Sequence, residues 1–214
     1  MRLHLKGPAR GLVSLVLTLS VPMLLGTLGG RLEEAAAAPP RAMVVEADEP
    51  EAAAVVLADL GWPEDHRGVF LRAVAPEALR SARRHGGFPS LTMAQAILES
   101  GWGRSRLARV HHNLFGIKGS GVELPTREGH GLLTRASFRV YGSWSASIED
   151  HDRLLATDAR YEAVVSASDW RGALAELAPV YATDPAYASR VAGLVERYDL
   201  DRWDAQVQPA VAHR

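Results

Sequence analysis

The chain has 214 residues, 47% hydrophobic and 23% charged, a formal net charge of −1 and no cysteine. That length and apolar content suit one folded core with added segments, and the lack of cysteine excludes a disulfide framework and any thiolate or thiolate-metal mechanism. The basic residues are scattered rather than drawn into a stripe, which excludes the usual nucleic-acid footprint.

The charge is uneven along the chain. Arg2, Lys6 and Arg10 precede an uncharged run over 11–30 that contains Leu12, Val13, Leu15, Val16, Leu17, Leu24 and Leu25. A basic start followed by an apolar stretch is the pattern of an export signal. Residues 1–38 therefore read as a signal peptide or an N-terminal membrane anchor, with membrane contact through 11–30. The run is long enough to span a bilayer, whereas Ala36, Ala37 and Ala38 offer small residues to a peptidase. Over 39–66 the chain is rich in Ala, Pro and acids, with seven acidic groups and Arg41 as its one basic group. Such a segment buries too little to offset its ordering entropy and reads as a linker, with a short helix an option over 52–60. The body, 67–204, is weakly basic, with a tail over 205–214.

Within the body helical spacing dominates. Val69, Phe70, Val74 and Leu79 give one apolar face; Met93, Ala94, Ala96 and Ile97 give another. Ser90 stands as N-cap of the second helix and Gly101 as its stop. Over 122–127 and 132–140 the pattern becomes strand-like around Glu128, Gly129, His130 and Gly131, which predicts a small β-hairpin. Helical periodicity returns over 145–157, 169–177 and 187–198.

Gln95, Glu99 and Trp102 are four and three residues apart, so a continuous helix places them on one face. Glu99 falls in the last turn, where the helix dipole disfavours a carboxylate, and a nearby indole would exclude water. Both effects raise its pKa, as a general acid requires. Spacing alone fits a solvated helical glutamate as the commoner case. Glycoside cleavage needs a second carboxylate, for which Glu128 at the turn and Glu123 in the first strand are candidates; the turn favours Glu128. The pairs His111-His112 and the run Glu149-Asp150-His151-Asp152 lack metal-site spacing, and 116–121 lacks the ending of a phosphate loop. No metal and no cofactor is expected.

Four ordered blocks carry a resemblance. They are Leu91-Thr92-Met93-Ala94-Gln95-Ala96-Ile97-Leu98-Glu99-Ser100-Gly101-Trp102-Gly103, Asn113-Leu114-Phe115-Gly116-Ile117-Lys118-Gly119, Phe138-Arg139-Val140-Tyr141 and Tyr181-Ala182-Thr183-Asp184-Pro185-Ala186-Tyr187-Ala188. Together they resemble the peptidoglycan endo-β-N-acetylglucosaminidase family, which includes the glucosaminidase domain of flagellar-assembly muramidases and many autolysins. The resemblance covers about 68–200. It implies an α+β, lysozyme-like fold, in which a mostly helical lobe and a small β-hairpin lobe flank a glycan-binding groove. It also implies hydrolysis of the β-1,4 bond on the reducing side of N-acetylglucosamine in peptidoglycan glycan strands.

Carried onto this sequence, the family's catalytic acid falls on Glu99, its second glutamate on Glu128 of Thr126-Arg127-Glu128, and a cleft tyrosine on Tyr181. Gly129 stands where the family often has an aromatic residue. Gln95, Trp102, Asn113, Phe115, Lys118, Tyr141 and Tyr187 are candidate substrate-binding residues, since aromatic rings stack on sugar faces and Asn and Lys bond their polar groups. Phe115 and Tyr141 fit a core equally well, Asn113 a turn and Tyr181 a half-buried position. A muramidase or lytic transglycosylase of the same fold, and a non-catalytic peptidoglycan-binding module, remain as alternatives. An exported protein, acting in the periplasm or cell wall, and a monomer by default complete the reading.

Overall fold

The computed structural model describes residues 61–128 and 132–207. The expected export segment, residues 39–60 of the linker, the turn residues 129–131 and the last seven residues of the tail lie outside that range.

Helix α1 (His66–His85) begins where the Asp65 carboxylate accepts the Arg67 and Gly68 backbone N–H groups at 2.8 and 3.3 Å, satisfying donors that the first turn leaves unpaired. Its buried face is Phe70, Leu71, Val74, Ala75, Ala78, Leu79 and Ala82. Val69, read as part of that face, instead points to solvent at 61% exposure. Trp62, within the stretch read as linker, is buried and stacks on Trp203 at 6.0 Å.

Helix α2 (Pro89–Ser100) is the central element, buried at every position from 89 to 97. It contacts α1, α6 (Trp170–Tyr181), α7 (Tyr187–Arg197) and a final 3-10 segment, Leu200–Gln206. Full burial of a side chain such as Ile97 contributes about 1.5–3 kcal/mol. Ser90 is not the N-cap. Pro89 occupies the first turn, and Asp204 accepts the Ser90 N–H at 2.9 Å and its hydroxyl at 2.7 Å. At the other end Gly101 and Trp102 both adopt left-handed backbone, φ 58° and 63°; the Gly101 N–H donates to the Ile97 carbonyl and stops the helix.

After α3 (Arg106–His111), strands β1 (Gly121–Glu128) and β2 (Leu132–Arg139) pair antiparallel, from Gly121 opposite Arg139 to Glu128 opposite Leu132. The expected hairpin is present, its first strand running on through Glu128. Helix α4 (Trp144–Thr157), capped by Ser143, a 3-10 turn at Ala159–Tyr161 and α5 (Glu162–Val165) lead into α6. Helix α6 is capped by Asp169, whose carboxylate accepts the Gly172 N–H at 2.8 Å. One helical lobe thus surrounds α2, with the hairpin projecting from it.

Candidate active site

Glu99 is the penultimate residue of α2 and is half-buried. Burial pushes its pKa from an ordinary 4.5 up to about 8, against the opposing pull of the Arg190 guanidinium. The phenols of Tyr181, at the end of α6, and Tyr187, at the start of α7, are themselves held well above their usual range. Burial is the main cause for both. Their mutual proximity comes next for Tyr181, and the Glu99 charge is felt by each. Their rings lie 5.6 Å apart. The structure therefore brings a carboxyl with a raised proton affinity to the neighbourhood of two phenol rings that lie more than eighty positions further along the chain. A carboxyl so enclosed can hold a proton at neutral pH and deliver it.

Trp102 does not take the expected place. Because α2 stops at Ser100, Trp102 is no longer on the helical face of Gln95 and Glu99. Its indole meets Phe70 and Tyr198 edge-on at 6.0 and 5.0 Å, with Arg67 5.5 Å above the ring.

Several residues expected to line a groove are enclosed instead. Gln95 is fully buried and donates from Nε2 to the Tyr187 hydroxyl at 3.0 Å. Asn113 is buried, its amide donating to the Ile117 and Arg139 carbonyls at 3.0 and 2.9 Å and its oxygen accepting the Ile117 N–H at 3.0 Å. It closes the turn before the hairpin and ties that turn to the end of β2. Phe115 is fully buried and stacks on His151 with centroids 3.9 Å apart. Tyr181 and Tyr187 are each 3% exposed, so they form a wall behind Glu99 rather than an open surface. A side chain with no accessible surface cannot touch a sugar without a rearrangement, which corrects the groove-lining reading for Gln95, Asn113 and Phe115. Tyr141 is half-buried and donates to Asp150 at 2.7 Å. Its own pKa is raised by burial and by that carboxylate. Lys118 is half-buried beside the bridge it makes with Phe138.

Glu128 ends β1 opposite Leu132; its side chain lies outside the described residues. Glu123 is exposed and sits 3.5 Å from Arg135 on the neighbouring strand. The acids of the 149–152 run have partners within the fold. Glu149 pairs with His85 and Arg84, Asp150 with Tyr141, Arg139 and Arg153, and Asp152 with His151 and Thr92. Among the described residues no group of three or more His, Cys, Asp or Glu side chains could hold a metal ion. A small cavity lined by Gly86, Gly87, Leu91, Thr92, Gln95 and Asp152 opens beside the first half of α2 and does not include Glu99. Arg190, whose charge reaches Glu99, went unnoticed in the sequence. Its signal was a position three residues after Tyr187, on the same face of α7.

Known proteins resemble the chain over this region. Exo-glucosaminidase LytG of Bacillus subtilis is 37% identical over 160 residues, covering 69% of this chain and 56% of the relative. A probable N-acetylmuramidase of Lactococcus lactis is 36% identical over 151 residues, covering 64% of this chain and 35% of the relative. The chain thus spans about half or less of these relatives. The catalytic domain of the autolysin Auto from Listeria monocytogenes superposes with a TM-score of 0.61 at 32% identity, covering 71% of this chain and 94% of that domain. The fold is accordingly the expected α+β, lysozyme-like one. Residues 75–200, more than half of the chain, match the glucosaminidase family, described as mannosyl-glycoprotein endo-β-N-acetylglucosaminidase, and the chain belongs to that family.

Proposed function

We propose that this chain is a peptidoglycan hydrolase that cleaves the β-1,4 bond on the reducing side of N-acetylglucosamine, with Glu99 as general acid. The observation that carries the reading is the enclosure of Glu99 at the end of α2, which raises its pKa to about 8. At pH 7 such a group is ~90% protonated, whereas a carboxyl with an ordinary value would be ionised almost completely. Glu99 would protonate the leaving glycosidic oxygen as positive charge builds on the sugar ring. Glu128, at the tip of the hairpin, would be the second carboxylate, activating water or stabilising that charge. Tyr181, beside Glu99, would act on the reacting sugar once substrate opens the wall it forms with Tyr187. Trp102, Lys118 and Tyr141 remain the candidates for contact along the strand.

The sequence of residues 1–38 supports an exported protein with membrane contact through 11–30, acting in the periplasm or cell wall, and a monomer is the working state. Digestion of purified peptidoglycan, wild type beside Glu99→Gln, with reductive labelling and mass analysis of the new ends, tests the reading. New N-acetylglucosamine ends from wild type alone are expected; equal activity from Glu99→Gln removes the acid from its role. The name of the Lactococcus relative favours a second reading, cleavage on the other side of the repeat, and muramic ends in the same digest would select it.

A further inference from the structure

Behind Glu99 the side chains of four helices form a closed ring. On α2, Thr92 donates from its hydroxyl to Asp152 Oδ1 at 2.9 Å. The same oxygen lies 2.8 Å from His151 Nδ1, both residues being on α4. The His151 ring is stacked on Phe115 on one side and meets Tyr181 of α6 edge-on at 6.1 Å. Tyr181 lies against Tyr187 of α7, and the Tyr187 hydroxyl accepts from Gln95, back on α2. Thr92, Gln95 and Glu99 are three and four residues apart, so the ring starts and ends on the face that presents Glu99 one turn later.

We propose that Thr92, His151 and Gln95 are positioning residues for Glu99. The Thr92–Asp152–His151 bonds fix the imidazole plane against which Tyr181 rests, and Gln95, one turn before Glu99 on the same face of α2, fixes Tyr187, so the two phenols are held in place near the end of α2. This inference rests on the reading of Glu99 as the acid. An apolar core would enclose Glu99 as well but would hold the rings by packing alone, without directed bonds. Buried polar groups are unfavourable unless bonded, and once bonded they specify one arrangement. Thr92, Gln95, His151 and Asp152 are each at most 5% exposed, and each contributes one directed bond to the ring, while Gln95 Oε1, His151 Nε2, Asp152 Oδ2 and the Tyr181 hydroxyl have no hydrogen-bond partner among the described residues. The groups facing Glu99 from the neighbouring elements are Tyr181 on α6 and Tyr187 and Arg190 on α7. Arg190, whose guanidinium is itself paired with Asp184, favours the ionised form of Glu99, and burial outweighs it.

The test compares the full chain with Gln95→Met, Thr92→Val, Thr92→Ser and His151→Phe on sonicated purified peptidoglycan, reading kcat, KM and the pH profile per folded molecule. Leu71→Ala, in α1 and outside the ring, serves as the variant that only destabilises. The expected result for Gln95→Met and Thr92→Val is a kcat lower by roughly tenfold or more with KM little changed, and an alkaline limb moved down by about one pH unit as water reaches Glu99. Thr92→Ser, which keeps the bond to Asp152, should restore both, and Leu71→Ala should lower the melting temperature with the profile intact. If the ring variants lose thermal stability but keep the wild-type limb and kcat, the positioning role is overturned. Should His151→Phe fail to fold, the Thr92→Val and Thr92→Ser pair decides. Glu99→Gln in the same series separates the two claims. Activity surviving in that variant overturns the acid itself, whereas an inactive Glu99→Gln beside unmoved ring variants overturns only the ring.

Discussion

Asp204 takes over the N-terminus of α2 from 114 positions away: its two carboxylate oxygens accept the Ser90 N–H and the Ser90 hydroxyl. The first turn of the helix that carries Glu99 is therefore anchored by the last 3-10 segment and not by a residue of its own. Removing the carboxylate leaves buried donors unpaired, so Asp204→Ala should lower stability by about 1–2 kcal/mol. Burial also raises Asp204 from 3.8 to about 6. The folded chain then binds a proton that the unfolded chain has released, and wild type should lose stability as pH rises from about 4 to about 6. Asp204→Asn cannot ionise at that position, so wild type should lose stability relative to Asp204→Asn across that window. Thermal unfolding of the three proteins at pH 4, 5, 6 and 7 checks both statements; a difference between wild type and Asp204→Asn that stays constant across the window contradicts the second.

Glu99 gives the same argument at higher pH. Its folded pKa of about 8 lies above the ordinary 4.5, so the group favours the fold least where it must ionise. Glu99→Gln should gain on wild type in melting temperature as pH rises above about 4.5, with the gain levelling off past about 8. Activity should move the opposite way. Wild type should lose about tenfold per pH unit above about 8 as the acid is deprotonated, and Glu99→Gln should be lower by at least ~100-fold below about pH 8, the gap narrowing above it. Release of reducing ends from pH 5 to 10, together with melting curves on the same samples, measures both. An alkaline limb near pH 5 would mean that the enclosure does not operate in solution.

How far these features could be seen in the sequence depends on whether each interaction is local. Helix α2, its glycine stop and the hairpin are set by apolar spacing and turn chemistry within a dozen residues, and they appear where that pattern puts them. Trp102 was misplaced because a left-handed residue pair at 101 and 102 breaks the helical count that joined it to Glu99. The sequence around Ser90 carries no mark of a cap supplied by Asp204, 114 positions away. Gln95, Asn113 and Phe115 carry chemistry suited to sugars, but burial decides their role, and burial comes from α4, α7 and β2, which lie far along the chain. The His151-Asp152 pair looked like a failed metal motif because only the fold brings Thr92 and Phe115 to it.

Asn113 separates a structural role from a substrate contact. Its three bonds to Ile117 and Arg139 are all to backbone groups, so Asn113→Ala should cost roughly 2–3 kcal/mol and loosen the hairpin against the helical lobe. Denaturant unfolding should show the loss, and hydrogen exchange should show faster opening at Ile117 and Arg139. A groove residue would behave differently, with stability near wild type and a raised KM. That second pattern would return Asn113 to the substrate contacts.

Two glutamates on one strand should respond very differently to the same change. Glu123 is exposed and paired across the strands with Arg135 at 3.5 Å; surface pairs of this kind contribute about 0–1 kcal/mol. Glu123→Gln should leave both stability and turnover close to wild type. Glu128 follows Thr126 and Arg127 and closes β1 opposite Leu132, at the hairpin tip. If it supplies the second carboxylate, Glu128→Gln should lower kcat by about 100-fold while the melting temperature stays within a few degrees, since the change removes a charge and keeps the side chain's shape. An external nucleophile such as azide is the sharper probe. Where a lost carboxylate had activated water or stabilised the charged sugar, azide should restore part of the turnover of Glu128→Gly and none of that of Glu99→Gln, whose missing function is a proton. Equal, small effects at 123 and 128 would leave Glu99 without a carboxylate partner on the hairpin.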